Sequence, residues 1–161
     1  GAIGIYLGGR IADFMAARRG QQWLPWVVAI SSLMTMPLLY LAFMAQTPMA
    51  AIAAYALPAM LGTLYVAPGF ALIQNSTPLE MRSVAAAINL FITNIIGLGL
   101  GPFSVGFFSD LFAQSYGIDG LRWGLATTLV ILLWGVLHYW RCGIMIKRER
   151  PSAGVAQAQQ A

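Results

Sequence analysis

The chain has 161 residues, 59% of them hydrophobic and 9% charged, with a net charge of +4 and a mean hydropathy of +0.73. Soluble domains carry about 25% charged residues, so too few charges remain to dress a water-facing surface, and the composition points to an integral membrane protein. The nine basic residues stand at the ends of apolar runs and form no basic, aromatic-studded face, which excludes nucleic acid as a partner.

In chain order, residues 1–12 are apolar but too short to span a bilayer, and 1–9 lack the basic leader and cleavage site of a signal peptide. They read as the second half of a helix, so the chain is expected to be part of a longer one. Four further runs, 22–45, 49–74, 83–109 and 121–145, each reach the roughly 20 apolar residues that a crossing needs. None carries Lys, Arg, Asp or Glu in its centre, where one charge costs about 2.5–3.5 kcal/mol. Residues 1–145 are therefore expected to form one transmembrane helical bundle, all-α, with 146–161 a basic and then small-polar disordered tail.

Charges set the expected orientation. Arg10, Arg18, Arg19, Arg82, Arg141, Lys147, Arg148 and Arg150 fall on one side of the alternating spans, and Arg122 alone on the other. Basic residues favour the cytoplasm, so loops 13–21 and 75–82 and the carboxy terminus are expected there, with the loops near 46–48 and 110–120 outside. Trp23, Trp26, Tyr139 and Trp140 suit the inner interface and Trp123 the outer. The bacterial cytoplasmic membrane is the expected location.

Two spans carry candidate functional faces. Tyr55, Pro58, Gly62, Tyr65 and Gly69 are spaced 3, 4, 3 and 4, which on an unbroken helix puts them in one stripe about 80° wide. Such a stripe reads either as a cavity wall touching substrate or as a close helix–helix seam. In 83–109, Asn94, Gly97 and Gly101 share a side, followed by Pro102, with Gly97-x-x-x-Gly101 a close-packing pattern. Asn89 points about 140° away from Asn94; an amide at membrane depth needs a hydrogen-bonding partner, so each faces protein or water. Gly4, Gly8 and Ala12 repeat the small-residue spacing.

Other chemistry is sparse. His138 reads as a proton relay or as an interfacial belt residue, and Cys142 as a packing residue or an acylation site. A single His and a single Cys make no metal cluster, and no phosphate loop or nucleophile–base set is present. Neither a cofactor nor an enzymatic activity is expected.

Three motifs carry a resemblance. "GGRIADFMAARR" (8–19) resembles the Gly-x-x-x-Asp-then-basic cytoplasmic loop of the major facilitator superfamily. Gly9 and Asp13 match its spacing, and Arg18 and Arg19 match its closing basic pair shifted by about one position. Phe14 and Ala16 depart from it, as in the weaker copy between the eighth and ninth helices. "TPLEMRSVAAAI" (77–88), with Pro78 and Arg82, resembles the entry to the eleventh helix, and "GLGLGPFSVGFFSD" (97–110) that helix in spinster-like transporters. The resemblance implies the carboxy-terminal bundle of such a fold, from the end of helix eight through helices nine to twelve. The implied partners are the lipid bilayer, the amino-terminal half of the same transporter, a small amphipathic substrate such as a lysolipid or sphingoid lipid, and protons. It also implies a cavity lined by Tyr55, Tyr65, Asn89 and Asn94, and a cytoplasmic gate made of Gly9, Asp13, Arg18, Arg19 and Arg82. The alternative to transport is a membrane-embedded scaffold whose glycine seams are permanent contacts.

Overall fold

A computed structural model describes residues 1–158, with side chains described through 149. Among the described residues there are helices and turns and no strand. Seven α-helices follow one another: α1 (Ala2–Arg19), α2 (Trp23–Phe43), α3 (Pro48–Leu61), α4 (Val66–Asn75), α5 (Arg82–Ile92), α6 (Gly101–Tyr116) and α7 (Gly120–Ala158). A π-helical stretch, Thr93–Leu100, joins α5 to α6 in one rod. Among the described residues three stretches are long and apolar enough to cross a membrane: Trp23–Phe43, Pro48–Asn75 and Leu79–Glu149. The third contains the reversal at Gly117–Asp119, so it folds into two antiparallel arms.

Helix ends follow local chemistry. α1 ends at Gly20, whose φ of 103° few side chains tolerate, and whose amide donates to the Ala16 carbonyl. α3 starts on Thr47, whose hydroxyl accepts from the Ala50 amide, with Pro48 at the first helical position. α6 ends at Gly117, φ 55°.

Several boundaries differ from the sequence reading. The stretch 13–21 was expected as a loop, yet α1 stays helical to Arg19, because nothing before Gly20 breaks it. Likewise 110–116 is helix rather than outer loop, since no Gly or Pro intervenes before Gly117. α7 continues past 145 to Ala158, where a disordered tail was expected; residues 159–161 lie outside the described residues.

The largest departure concerns 49–74, which is not one helix. Thr63–Tyr65 form tight turns between α3 and α4. Pro68 has no amide hydrogen, so it cannot donate to the Leu64 carbonyl one turn earlier. α1 docks on this break with its small face: Gly4, Gly8 and Ala12 are buried. A β-carbon at Gly8 would run into the Leu64 carbonyl, and one at Gly4 into the Met60 carbonyl and the Thr63 hydroxyl. The glycine surface thus lies against backbone oxygen at the break, the Leu64 carbonyl without its usual donor and the Met60 carbonyl bonded locally by the Thr63 amide and hydroxyl, a geometry suited to Cα–H···O contacts.

α2 is the hub, packed against α1, α3, α4 and α7. It holds most of the buried side chains, among them Leu24, Val27, Val28 and Ala29. Its buried hydroxyls are satisfied within the helix: Ser31 donates to the Val28 carbonyl at 3.0 Å and Thr35 to the Ser31 carbonyl at 2.8 Å. Glycines missed by the sequence reading make the other seams. Gly120 and Gly124 of α7 bring it against Ala113 and Ser109 of α6, and Gly143 admits the Trp26 indole. Trp26 stacks on Trp140 at 5.6 Å and donates to its carbonyl at 3.2 Å. Gly97, by contrast, has nothing within 4 Å, and Gly101 only the Ile96 carbonyl of its own rod, so neither packs against another helix among the described residues.

A side chain at Gly8 should therefore be far costlier than one at an open glycine. Gly8→Val is expected to overpack the seam by about 1–3 kcal/mol or more and to cut folded yield in detergent. Gly135→Ala, where an added β-carbon meets nothing within 4 Å, should leave yield and thermal midpoint unchanged or slightly raised.

Candidate functional site

The two ends of the bundle are tied differently. At one end Asn75 donates to the Gln21 side chain at 3.3 Å, joining the α1–α2 turn to the end of α4. At the other, Arg122 pairs with Asp119 at 2.8 Å, donates to the Ala45 carbonyl at 3.0 Å and reaches the Gln46 side chain at 3.5 Å. This joins the α6–α7 turn to the α2–α3 turn. The turns group as the charge count proposed, with Arg18, Arg19 and Arg82 at the Gln21 end and Arg122 opposite.

Between the ends, α4, α5 and α7 border an open cavity of about 250 Å³. Tyr65, Gly69 and Phe70 line it from α4 and its preceding turn, Asn89 and Thr93 from the α5 rod, and Tyr139 from α7. Gly69 leaves room for the Tyr139 hydroxyl, which would stand 4.0 Å from a β-carbon there. No formal charge faces the cavity. Among the described residues, the side chains of Tyr65, Asn89, Thr93 and Tyr139 have no hydrogen-bond partner. Two phenols, an amide and a hydroxyl thus converge with unused donors and acceptors on an otherwise apolar wall, the usual make-up of a small-molecule site.

The expected cavity residues part company. Tyr65 and Asn89 come together, whereas Asn94 is exposed and donates its amide to the Leu90 carbonyl at 2.7 Å. Tyr55 lies elsewhere, in a concavity of about 590 Å³ beside Arg122, Gln46 and Thr47. The residues of the stripe from Tyr55 to Gly69 fall on two helices and the turns between them, and Tyr55 and Tyr65 line different concavities. Pro58 and Pro68 are buried inside the bundle. Tyr139 and Thr93 were not singled out as site residues. Tyr139 was assigned to the interfacial belt beside Trp140, and only the helical phase of α7 separates the two.

The expected gate residues lie on α1 and at the start of α5. Asp13 is exposed beside Arg10 and Phe14, and among the described residues no cation pairs with it. It sits in the last two turns of α1 rather than at a helix N-terminus, so the helix dipole does not favour its charge. Gly9 faces α4, where an added β-carbon would stand 3.4 Å from that of Ala67. Arg18 lies over the Phe14 ring at 4.2 Å and Arg19 over Trp23 at 5.2 Å. Arg82 donates to the Thr77 carbonyl at 3.3 Å. His138 bonds the Trp134 carbonyl through Nδ1 at 2.9 Å and is exposed, away from the cavity. No group of three or more metal-ligating side chains occurs among the described residues.

The chain is 33% identical over 150 residues to an MFS-type efflux pump of Mycolicibacterium smegmatis, a match covering 92% of this chain and 34% of that protein. That likeness supports membership of the major facilitator superfamily. The all-helical, apolar fold is compatible with a segment of a major facilitator protein, and the chain spans about a third of the relative's length. No protein-family model matches the chain. No solved structure matches it significantly.

The Arg122 tie is open to direct test. Arg122→Gln removes the ion pair and the charged bond to the Ala45 carbonyl, a loss of about 1 kcal/mol. Amides of residues 44–47 should then exchange hydrogen roughly fivefold faster, while those of α2 near Val28 stay protected.

Proposed function

We propose that the chain is part of a secondary transporter that exports a small amphipathic molecule by alternating access. The observation that carries this reading is the set of four unpartnered polar side chains, Tyr65, Asn89, Thr93 and Tyr139, around a charge-free cavity among apolar helices. Unpaired donors and acceptors at membrane depth are costly, and a substrate with a polar head and an apolar body would satisfy them. A lysolipid or a sphingoid base has that chemistry. The likeness to an efflux pump supports export as the direction.

Within the superfamily we assign the chain to a spinster-like branch, with α1 as the end of helix eight and the later rods as helices nine to twelve. Coupling to protons would draw on carboxylates outside these residues, since the cavity itself holds none. The exposed and unpaired Asp13, with Gly9 against α4 and Arg82 at the head of α5, would make the cytoplasmic contacts with the other half that differ between the two access states.

The test is efflux from cells expressing the intact polypeptide, with ethidium and a fluorescent lysolipid as probes. Asn89→Ala and Tyr139→Phe should each lower the initial rate about two- to tenfold, the worth of one hydrogen bond, at unchanged membrane abundance. Asp13→Asn should slow turnover at least about fivefold. Unaltered efflux in both cavity variants would remove this cavity from the transport path. No efflux of either probe by the wild type, at normal abundance, would favour a scaffold.

A further inference from the structure

A second concavity, of about 190 Å³, runs along the outside of the bundle between α1 and α2, with Leu61 and Leu64 of the α3–α4 region beneath it. Ile11 and Met15 form its α1 wall; Trp23, Val27, Ile30 and Met34 form its α2 wall. The α2 residues follow at spacings of 4, 3 and 4, one continuous helix face. Ser31 is the only polar residue in the lining, and its hydroxyl already donates to the Val28 carbonyl. The groove therefore offers a ligand nothing but hydrocarbon contact.

Its length and its mouth say what would fill it. From Trp23 to Met34 the helix rises about 17 Å, close to the ~15 Å depth of one leaflet of a bilayer core about 30 Å thick. On α1, Ile11, Met15 and Arg19 stand four residues apart on the same face, so the apolar wall leads directly to a guanidinium. Arg19 lies over Trp23 at the groove's end and Arg18 over Phe14 beside it, both arginines exposed. Neither forms an ion pair among the described residues. A tryptophan at headgroup depth, two cations at the mouth and an apolar slot one leaflet long match one ligand chemistry.

We infer that this groove is a binding site for an anionic phospholipid of the leaflet at the basic end. One acyl chain lies along Ile11, Met15, Val27, Ile30 and Met34, and the phosphate is held by Arg18 and Arg19. The site shares Leu64 with the glycine seam and does not depend on the transport reading. A bound lipid would brace α1 against α2 on the outer side of the contact they already make through Ala12, Leu24 and Val27.

The test is native mass spectrometry of the intact polypeptide, released from nanodiscs holding equal amounts of phosphatidylglycerol and phosphatidylcholine with identical chains. The wild type is expected to retain phosphatidylglycerol preferentially, and soluble glycerol phosphate in excess should not displace it. Arg18→Gln and Arg19→Gln should each reduce that retention about fivefold. Ile30→Trp, which fills the slot, should reduce retention of both lipids in protein that still elutes as a monodisperse species. Equal retention of the two lipids by the wild type would overturn the proposal without recourse to any variant. So would displacement by glycerol phosphate, which needs no chain site, or retention unchanged in Ile30→Trp, as when another protein segment covers the groove.

Discussion

The contact on which the rest of this bundle depends is the close approach of a glycine face to a broken helix. Lipid gives apolar helices little reason to prefer each other over the bilayer, so association relies on van der Waals fit and on backbone that can be reached closely. Gly4, Gly8 and Ala12 strip α1 of side chains along one line, and Met60 to Leu64 present carbonyl oxygen to it. Pro68 leaves the Leu64 oxygen without its helical donor, and the seam uses that defect. One proline on one helix and one glycine on another, far apart in sequence, explain each other only in the folded chain.

From that seam the cavity follows. Tyr65, in the turn before α4, and Gly69 of α4 face Asn89 and Tyr139, whereas Tyr55 of α3 lines a different concavity. The α5 rod contributes from α4's other side. Its first part packs on α4 and its last on α7, with the π-helical Thr93–Leu100 between them. Pro102, unable to donate to the carbonyl four residues before it, and the glycines at 97, 99 and 101 account for the wider winding there.

The all-helical apolar character was legible from composition, because a charge-poor chain has one solvent in which it can fold. The pairing of turns at each end was legible from the alternation of arginines, which reflects topology alone. Small-residue spacing revealed the seam of α1, whereas Gly97 and Gly101 meet no other helix among the described residues, since a four-residue spacing says that close approach is possible and not that a partner is present. The cavity was half legible. Asn89 and Tyr65 stood out as polar residues in apolar runs, but Tyr55 and Asn94 did too, and only the break at Thr63–Tyr65 and the Asn94–Leu90 bond sort them. Tyr139 was hidden by its neighbour Trp140, which made the pair read as an interfacial belt. The local periodicity of one span carries no information on which neighbour it will face.

The docking of α1 against α4 can be measured directly by pairing Gly9→Cys with Ala67→Cys in a Cys142→Ser background. The β-carbon built at Gly9 lies 3.4 Å from that of Ala67, near the mean of about 3.8 Å found across disulfides. Mild oxidation in membranes should link the two positions nearly completely, read as a joined peptide pair by mass spectrometry. Two free thiols after oxidation, in protein of normal abundance, would mean that α1 does not lie on the broken helix, and the account of seam and cavity would fail with it.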